Sequence, residues 1–114
     1  MPIIYQVYVV ELSKSIFTES KKFRMANPQF NGILECLYVG MTSKSPEERL
    51  EQHIQSIKSK RGHDLSARFV KKYGLYLRPS LYNHLPKMIR PQALAAEQKL
   101  ALDLKRQRYA VWVN

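Results

Sequence analysis

The sequence lacks the features that mark several large classes of protein. It has a single cysteine, Cys36, so no disulfide can form within the chain, and this suits a reducing compartment. As one thiol in an apolar stretch, Cys36 is interpreted as a packing residue rather than a nucleophile. No apolar run reaches membrane-spanning length, and the apolar N-terminal stretch carries no basic leader and no cleavage signal. We therefore expect a cytoplasmic protein, or a nuclear or nucleoid-associated one, that is neither secreted nor membrane-bound.

Acidic residues are also scarce. The chain has 19 basic and nine acidic residues, a formal net charge of +10. Residues 1–53 hold six of each sign, whereas residues 54–114 hold 13 basic and three acidic, so the whole excess lies in the second part. This asymmetry favours a polyanionic partner, with nucleic acid ahead of a membrane surface, although a solvated surface explains it equally well. The candidate nucleic-acid-binding residues are Lys44, Lys58, Lys60, Arg61, Arg68, Lys71 and Lys72.

The length of 114 residues and the 45% hydrophobic content are typical of one globular domain. Residues 3–12 are rich in Val, Ile and Tyr and almost continuously apolar, which predicts a central strand covered on both faces. A second strand is predicted over 36–39, ending at Gly40. A third is predicted over 75–82, which Pro79 either confines to a sheet edge or breaks, and a short last one over 109–113. Helices are predicted over 64–73 and 91–107.

The clearest helix start in the chain is at Ser45. Ser45 can cap the helix, Pro46 suits its first position, and Glu48 completes a capping box with Ser45. An apolar stripe formed by Leu50, Ile54 and Ile57 follows. Arg49 and His53 are four residues apart and therefore lie on one face, next to that stripe.

Residues 13–35, between the first two predicted strands, are irregular. They contain two turn signals, Asn27-Pro28 and Asn31-Gly32, and a small basic cluster. This segment could be an ornament, a DNA-contacting loop or a dimer contact, and the sequence does not separate these.

Glu97 is an anomaly in the helix predicted over 91–107. It lies between Leu94 and Ala101 in an apolar stripe that continues to Leu104. An uncompensated carboxylate on a buried face is costly, so it should be paired or metal-bound. Alternatively, Glu97 lies at the edge of the stripe and reaches solvent, or pairs with Arg49.

An ordered set of residues resembles the GIY-YIG nuclease superfamily. Tyr38-Val39-Gly40 looks like the second half of the family signature, and Gln6-Val7-Tyr8 looks like the first half, with glutamine where the family has glycine. Thr42, the Arg49-x3-His53 pair and Glu97 follow in the family's order. The resemblance implies an α/β fold of the α+β type, a small mixed or antiparallel sheet flanked by helices. It covers residues 1–114 as one nuclease domain, with an insertion at about 13–35.

The resemblance also implies a reaction, the metal-dependent hydrolysis of phosphodiester bonds in DNA. Arg49 would hold the scissile phosphate, and Glu97 would hold one divalent ion, Mg²⁺ or Mn²⁺. Tyr8 or His53 would orient and deprotonate the water, and Tyr38 would position the phosphate or the water. We expect these five side chains to converge on one solvent-accessible concavity. Alternatively, Tyr8 is a core residue whose hydroxyl is satisfied by a neighbour. A Tyr8 sealed in the core, or a Glu97 directed away from Arg49, would count against catalysis.

Some family features differ in this chain. The family asparagine beyond the glutamate helix corresponds to Ala110, with Asn114 as a candidate substitute. Relatives often continue into a DNA-recognition domain, so specificity could come from a protein partner, a homodimer or further chain.

A non-catalytic nucleic-acid-binding module on the same fold is the first alternative, favoured by Gln6 and the insertion. A basic structural protein that binds RNA is the second.

Overall fold

The computed structural model describes residues 3–55 and 65–113. Within these ranges the strands are β1 (Ile4–Leu12), β2 (Cys36–Thr42), β3 (Gly74–Leu77), β4 (Met88–Ile89) and β5 (Ala110–Val113). The helices are α1 (Ser15–Glu19), α2 (Lys21–Met25), α3 (Pro46–Gln55), α4 (Leu65–Tyr73) and α5 (Arg90–Arg106), and a 3₁₀ turn spans Pro79–Leu81.

The strands form one mixed sheet in the order β3-β1-β2-β5. β1 pairs antiparallel with both β2 and β3, and its first residues pair with the short β4. β2 pairs with β5 in parallel. The predicted α+β class, a small mixed sheet flanked by helices, is therefore confirmed.

β1 is the central strand that the sequence predicted. Successive side chains of a strand point to opposite faces of the sheet. Val7 and Tyr8 are both almost completely buried, as are Val9 and Val10 after them. Both faces of the sheet are therefore covered, which explains why apolar residues follow one another along this strand.

The insertion at 13–35 is part of the hydrophobic core rather than an ornament on it. α1 and α2 lie within it, and their residues Ile16 and Phe23 are fully buried. The Phe23 ring contacts the rings of Phe69 on α4 and Trp112 on β5, with centroids 6.0 and 6.5 Å away. Aromatic packing between segments that are distant in the sequence makes the insertion a structural element.

Several predicted boundaries differ from the structure. β2 does not end at Gly40 but continues through it to Thr42. The strand predicted over 75–82 is an edge strand that stops before Pro79, because proline cannot donate to a ladder. β4 lies within residues 83–90, where the sequence predicts neither helix nor strand, since a two-residue strand has no periodicity to detect.

The predicted buried faces of two helices also need correction. On α5, Leu94 is 41% exposed, and the buried face instead contains Ala93, Glu97, Leu100, Ala101 and Leu104. On α3, Ile54 is largely exposed, while His53 beside it is buried. Ile57, the last residue of the stripe predicted there, lies outside the described residues. In the described part of the chain, no helix is both long and apolar enough to cross a membrane.

Candidate active site

Strand pairing brings the two signature tyrosines together. In the β1–β2 register, Tyr8 is paired with Gly40 and Val10 with Tyr38. Tyr8 and Tyr38 are thus diagonal neighbours on one face of the sheet. Their ring centroids are 6.1 Å apart, with the ring planes inclined by 56°.

Gly40 leaves the space that the two phenol groups fill. A Cβ atom at this position would lie 2.9 Å from both Cε2 and the hydroxyl of Tyr38, and 3.0 Å from Cζ of Tyr8. These distances are shorter than van der Waals contact, so any larger residue would push the rings apart. The glycine is therefore explained by a close approach inside a continuous strand, where the sequence had suggested a break.

The start of α3 fixes the position of Arg49 and His53. Ser45 Oγ accepts a hydrogen bond from the backbone N–H of Glu48 at 3.1 Å and contacts the Glu48 carboxylate, also at 3.1 Å. This confirms that Ser45 caps the helix. The Glu48 carboxylate contacts the Ser45 hydroxyl, whereas in a full capping box it would accept a hydrogen bond from the Ser45 backbone N–H, so the predicted box is confirmed on the Ser45 side alone. One turn later His53 is buried, and its ring lies edge-on to Tyr38 at a centroid distance of 6.3 Å.

Tyr8 is a protonated phenol at neutral pH. Burial raises the pKa of its hydroxyl to about 12. The Arg49 charge and hydrogen bonds with Tyr38 and Arg49 act in the opposite direction, while the Glu97 charge raises the pKa further. Residues from β1, β2, α3 and α5 therefore all interact at this hydroxyl.

Glu97 is a buried carboxyl on α5. Its side chain is 1% exposed, and its Oε2 has no hydrogen-bond partner among the residues that the structure describes. Burial raises its pKa to about 7, and the nearby Arg90 charge lowers it only in part. The prediction of a carboxylate on the buried helix face is confirmed, and neither exposure to solvent nor an ion pair with Arg49 is observed.

The donor set fits a cation held by one protein ligand. Residues 3–55 and 65–113 contain no cluster of three or more His, Cys, Asp and Glu side chains that could enclose a metal. Mg²⁺, however, commonly uses one or two carboxylates and takes its other ligands from water and substrate phosphates. Glu97 could supply one such carboxylate, whereas a structural zinc site would need four ligands. With 1% exposure, however, its oxygen is not open to water or phosphate in this structure.

A polar cavity of about 270 Å³ lies at the end of β2. Arg49 lines it, and so does Lys44, one of the predicted nucleic-acid-binding residues. Among the described residues, no carboxylate is within ion-pair distance of either cation. The cavity is also lined by Tyr5, Met41, Thr42, Ser43 and Gln52.

Sequence analysis did not select most of these lining residues. Thr42 is one of the residues that carry the resemblance described above, but Tyr5 and Gln52 belong to no motif. The signal that could have found Gln52 is its position three residues after Arg49 on the same helix, and Arg49 does contact it, Nη1 to Oε1, at 3.4 Å.

The other predicted basic residues are elsewhere. Arg68, Lys71 and Lys72 are exposed on α4, and Lys72 is 3.5 Å from the Glu19 carboxylate and 5.2 Å from the Tyr73 ring centroid. None of the three lines the Arg49 cavity. Lys58, Lys60, Arg61 and Asn114 lie outside the described residues.

Accessibility differs from the expectation. Tyr8, Tyr38 and Glu97 are each at most 2% exposed, and His53 is 5% exposed. The predicted exposure of these four side chains on a concavity is therefore wrong. They lie beneath the surface, and Arg49 connects them to the open cavity because it both interacts with Tyr8 and lines that cavity.

Comparison with known proteins gives no family assignment. No family model, no curated protein and no solved structure matches the chain.

Proposed function

We propose that this protein is a metal-dependent endonuclease that hydrolyses phosphodiester bonds in DNA. The main support is Glu97, a carboxyl with 1% exposure, an unpartnered oxygen and a pKa raised to about 7. Burying such a group without a partner is costly and needs a compensating role, and perturbed groups of this kind cluster at functional sites. Its electrostatic interaction with Tyr8, which also interacts with Arg49, connects it to a cationic cavity.

Arg49 has the role of the phosphate ligand. Its guanidinium is permanently charged and can donate two parallel hydrogen bonds to phosphate oxygens. Because no described carboxylate neutralises it, its charge is available to an anion in the cavity. The same charge stabilises the additional negative charge that develops on the phosphate during attack.

The water is oriented by Tyr8 or His53, and Tyr38 positions the phosphate or the water. With its pKa raised to about 12, the Tyr8 phenol keeps its proton at neutral pH, so it donates a hydrogen bond unless a neighbouring positive charge lowers that pKa. His53 is then the group left to accept the proton from water. Glu97 would hold one Mg²⁺ or Mn²⁺ ion, which would supply charge neutralisation at the leaving oxygen.

The reaction would take place wherever the chain meets DNA, in the cytoplasm, nucleus or nucleoid. A protein partner or a second copy of the chain would supply sequence or branch specificity.

A second function, a nucleic-acid-binding module without catalysis, is favoured by one observation. Tyr8, Tyr38 and Glu97 are buried, so in this conformation a substrate phosphate reaches Arg49 but not the groups beneath it. Under this alternative the buried tyrosines and carboxyl only shape the cavity, and Arg49 and Lys44 bind the phosphate backbone.

A magnesium-dependent nicking assay separates the two. Wild-type protein should nick plasmid or branched DNA with Mg²⁺ or Mn²⁺ and not with EDTA. Glu97→Gln should slow cleavage about a hundredfold or more, the usual cost of losing such a group. The matched control is Glu47→Gln, an exposed carboxyl that does not line the Arg49 cavity, and it should cleave normally.

Two outcomes would contradict the proposal. Cleavage at the wild-type rate by Glu97→Gln would remove Glu97 from the mechanism. Binding without cleavage, on varied substrates with both ions, would leave the binding module as the function.

A further inference from the structure

The cavity beside Arg49 combines groups that recognise different parts of a nucleotide. Lys44 and Arg49 supply positive charge, and Thr42, Ser43 and Gln52 supply hydrogen-bonding groups. Thr42 Oγ1 accepts a hydrogen bond from the Lys44 backbone N–H at 3.0 Å, which holds the turn after β2 in place. This side of the cavity suits a phosphate and the oxygens of a sugar.

Tyr5 contributes an aromatic ring to this otherwise charged and polar cavity. Tyr5 is a half-buried residue near the start of β1, and it lines the same cavity as Lys44 and Arg49. The Arg90 guanidinium carbon lies over its ring, 6.0 Å from the centroid, at the outer limit of a cation–π contact. Arg90 therefore adds positive charge near this ring, and bases stack well on aromatic side chains.

The Tyr5 ring in this cavity can be reached only by a base that has left a duplex. Its volume of about 270 Å³ is just below the usual range for small-ligand sites, which begins at about 300 Å³. A nucleotide in a duplex keeps its base within the stack, so its base could reach Tyr5 only after leaving the helix. The phosphate groups and the ring can therefore be engaged together by one nucleotide of a single strand.

We propose that this cavity is a subsite for one unpaired nucleotide, with its phosphate on Arg49 and Lys44 and its base against Tyr5. The proposal rests on the endonuclease function, since it names the substrate class of that site as DNA with a single-stranded segment.

The test measures DNA binding without metal, so that it does not depend on cleavage. Full-length protein in EDTA is titrated into a labelled single-stranded oligonucleotide and into the same oligonucleotide with abasic sites. Tyr5→Leu keeps an apolar side chain but removes the aromatic face, and Tyr5→Phe keeps the face. Tyr76→Leu, at an exposed tyrosine on β3 that lines a different cavity, is the matched control.

Tyr5→Leu should weaken binding to the normal strand by between about fivefold and a hundredfold, the range for losing one stacked base. Tyr5→Phe and Tyr76→Leu should each stay within about twofold of wild type. The abasic strand should bind wild type weakly and should not distinguish the Tyr5 variants. Equal binding of normal and abasic strands, or an unchanged affinity of Tyr5→Leu for the normal strand, would overturn the subsite.

The result is independent of catalysis. A protein that passes this test but never cleaves DNA retains the subsite and loses the endonuclease function. A protein that cleaves and fails this test keeps the endonuclease function and loses the subsite.

Discussion

Replacing Glu97 by glutamine tests the buried carboxyl through stability, without any cleavage assay. Burial raises the pKa of Glu97 from 4.5 to about 7. The unfolded carboxyl ionises near 4.5, so between these pH values the native state binds more protons than the unfolded chain. Stability therefore falls as the pH rises through this window. The contribution is fully present below pH 4.5 and is lost above about pH 7.

The expected size follows from the shift. One pKa unit corresponds to about 1.4 kcal/mol, so the change from 4.5 to about 7 corresponds to about 3 kcal/mol. Glutamine does not titrate. Other groups titrate alike in both proteins, so the free energy of unfolding of Glu97→Gln, relative to wild type, should increase by about 3 kcal/mol between about pH 4 and pH 8.

Urea unfolding in EDTA, followed by the fluorescence of Trp112, the single tryptophan, measures this difference. The comparison uses how the difference in the free energy of unfolding between variant and wild type changes with pH. Any pH-independent cost of placing an amide at this position therefore cancels. Glu47→Gln, which removes an exposed carboxyl, should show a nearly constant difference. If the Glu97→Gln and wild-type curves run parallel from pH 4 to pH 8, the Glu97 carboxyl is not desolvated and its interpretation as a cation ligand loses its basis.

Four further outcomes are expected. Mg²⁺ at pH 8 should raise the unfolding midpoint of wild type and leave Glu97→Gln unchanged, because only a native state with the carboxylate binds the ion; equal shifts in both would place the ion elsewhere. Gly40→Ala should destabilise the fold by about 1–3 kcal/mol in urea unfolding and slow nicking, since the new Cβ would meet Tyr38 at 2.9 Å; unchanged stability would mean that the rings are not packed against this position. Arg49→Ala should lower the nicking rate about a hundredfold while weakening DNA binding only modestly, because other cations still contact the backbone; normal cleavage would contradict its role as phosphate ligand. DNA affinity should fall steeply with salt, as expected for counterion release by a chain of net charge +10, and a flat titration would mean that the charge is only solvated.

The parts of the fold that follow from local rules were predictable. The apolar run of β1 required burial on both faces. The start of α3 was specified within four residues, by the Ser45 hydroxyl bonded to the Glu48 backbone N–H and by the fixed φ of Pro46. Glu97 was recognisable because a carboxylate in an apolar stripe violates the pattern.

The parts that depend on distant contacts were not. Glycine interrupts many strands, but Gly40 lies inside β2 because a larger residue there would clash with Tyr8 and Tyr38. Only the pairing register reveals that these two rings lie next to Gly40. α1 and α2 have five residues each, too few to show a helical period, and their stability comes from packing Ile16 and Phe23 into the core. The burial of Tyr8 followed from the two-sided coverage of β1, whereas the burial of Tyr38 depended on the same distant packing and could not be inferred from spacing.

The polar contacts of the insertion 13–35 cover the edge of the sheet at β5, where a further strand could otherwise pair. β5 is at one end of the strand order, and a free edge of this kind is a template for aggregation. Asn27 Oδ1 accepts a hydrogen bond from the Val111 backbone N–H at 2.6 Å, and Gln29 Nε2 donates one to the Tyr109 carbonyl at 2.9 Å. The insertion thus occupies hydrogen-bonding positions that an added strand would use. Shortening it would leave the Val111 N–H and the Tyr109 carbonyl unpaired at the sheet edge, and would favour pairing with another copy of the chain during folding.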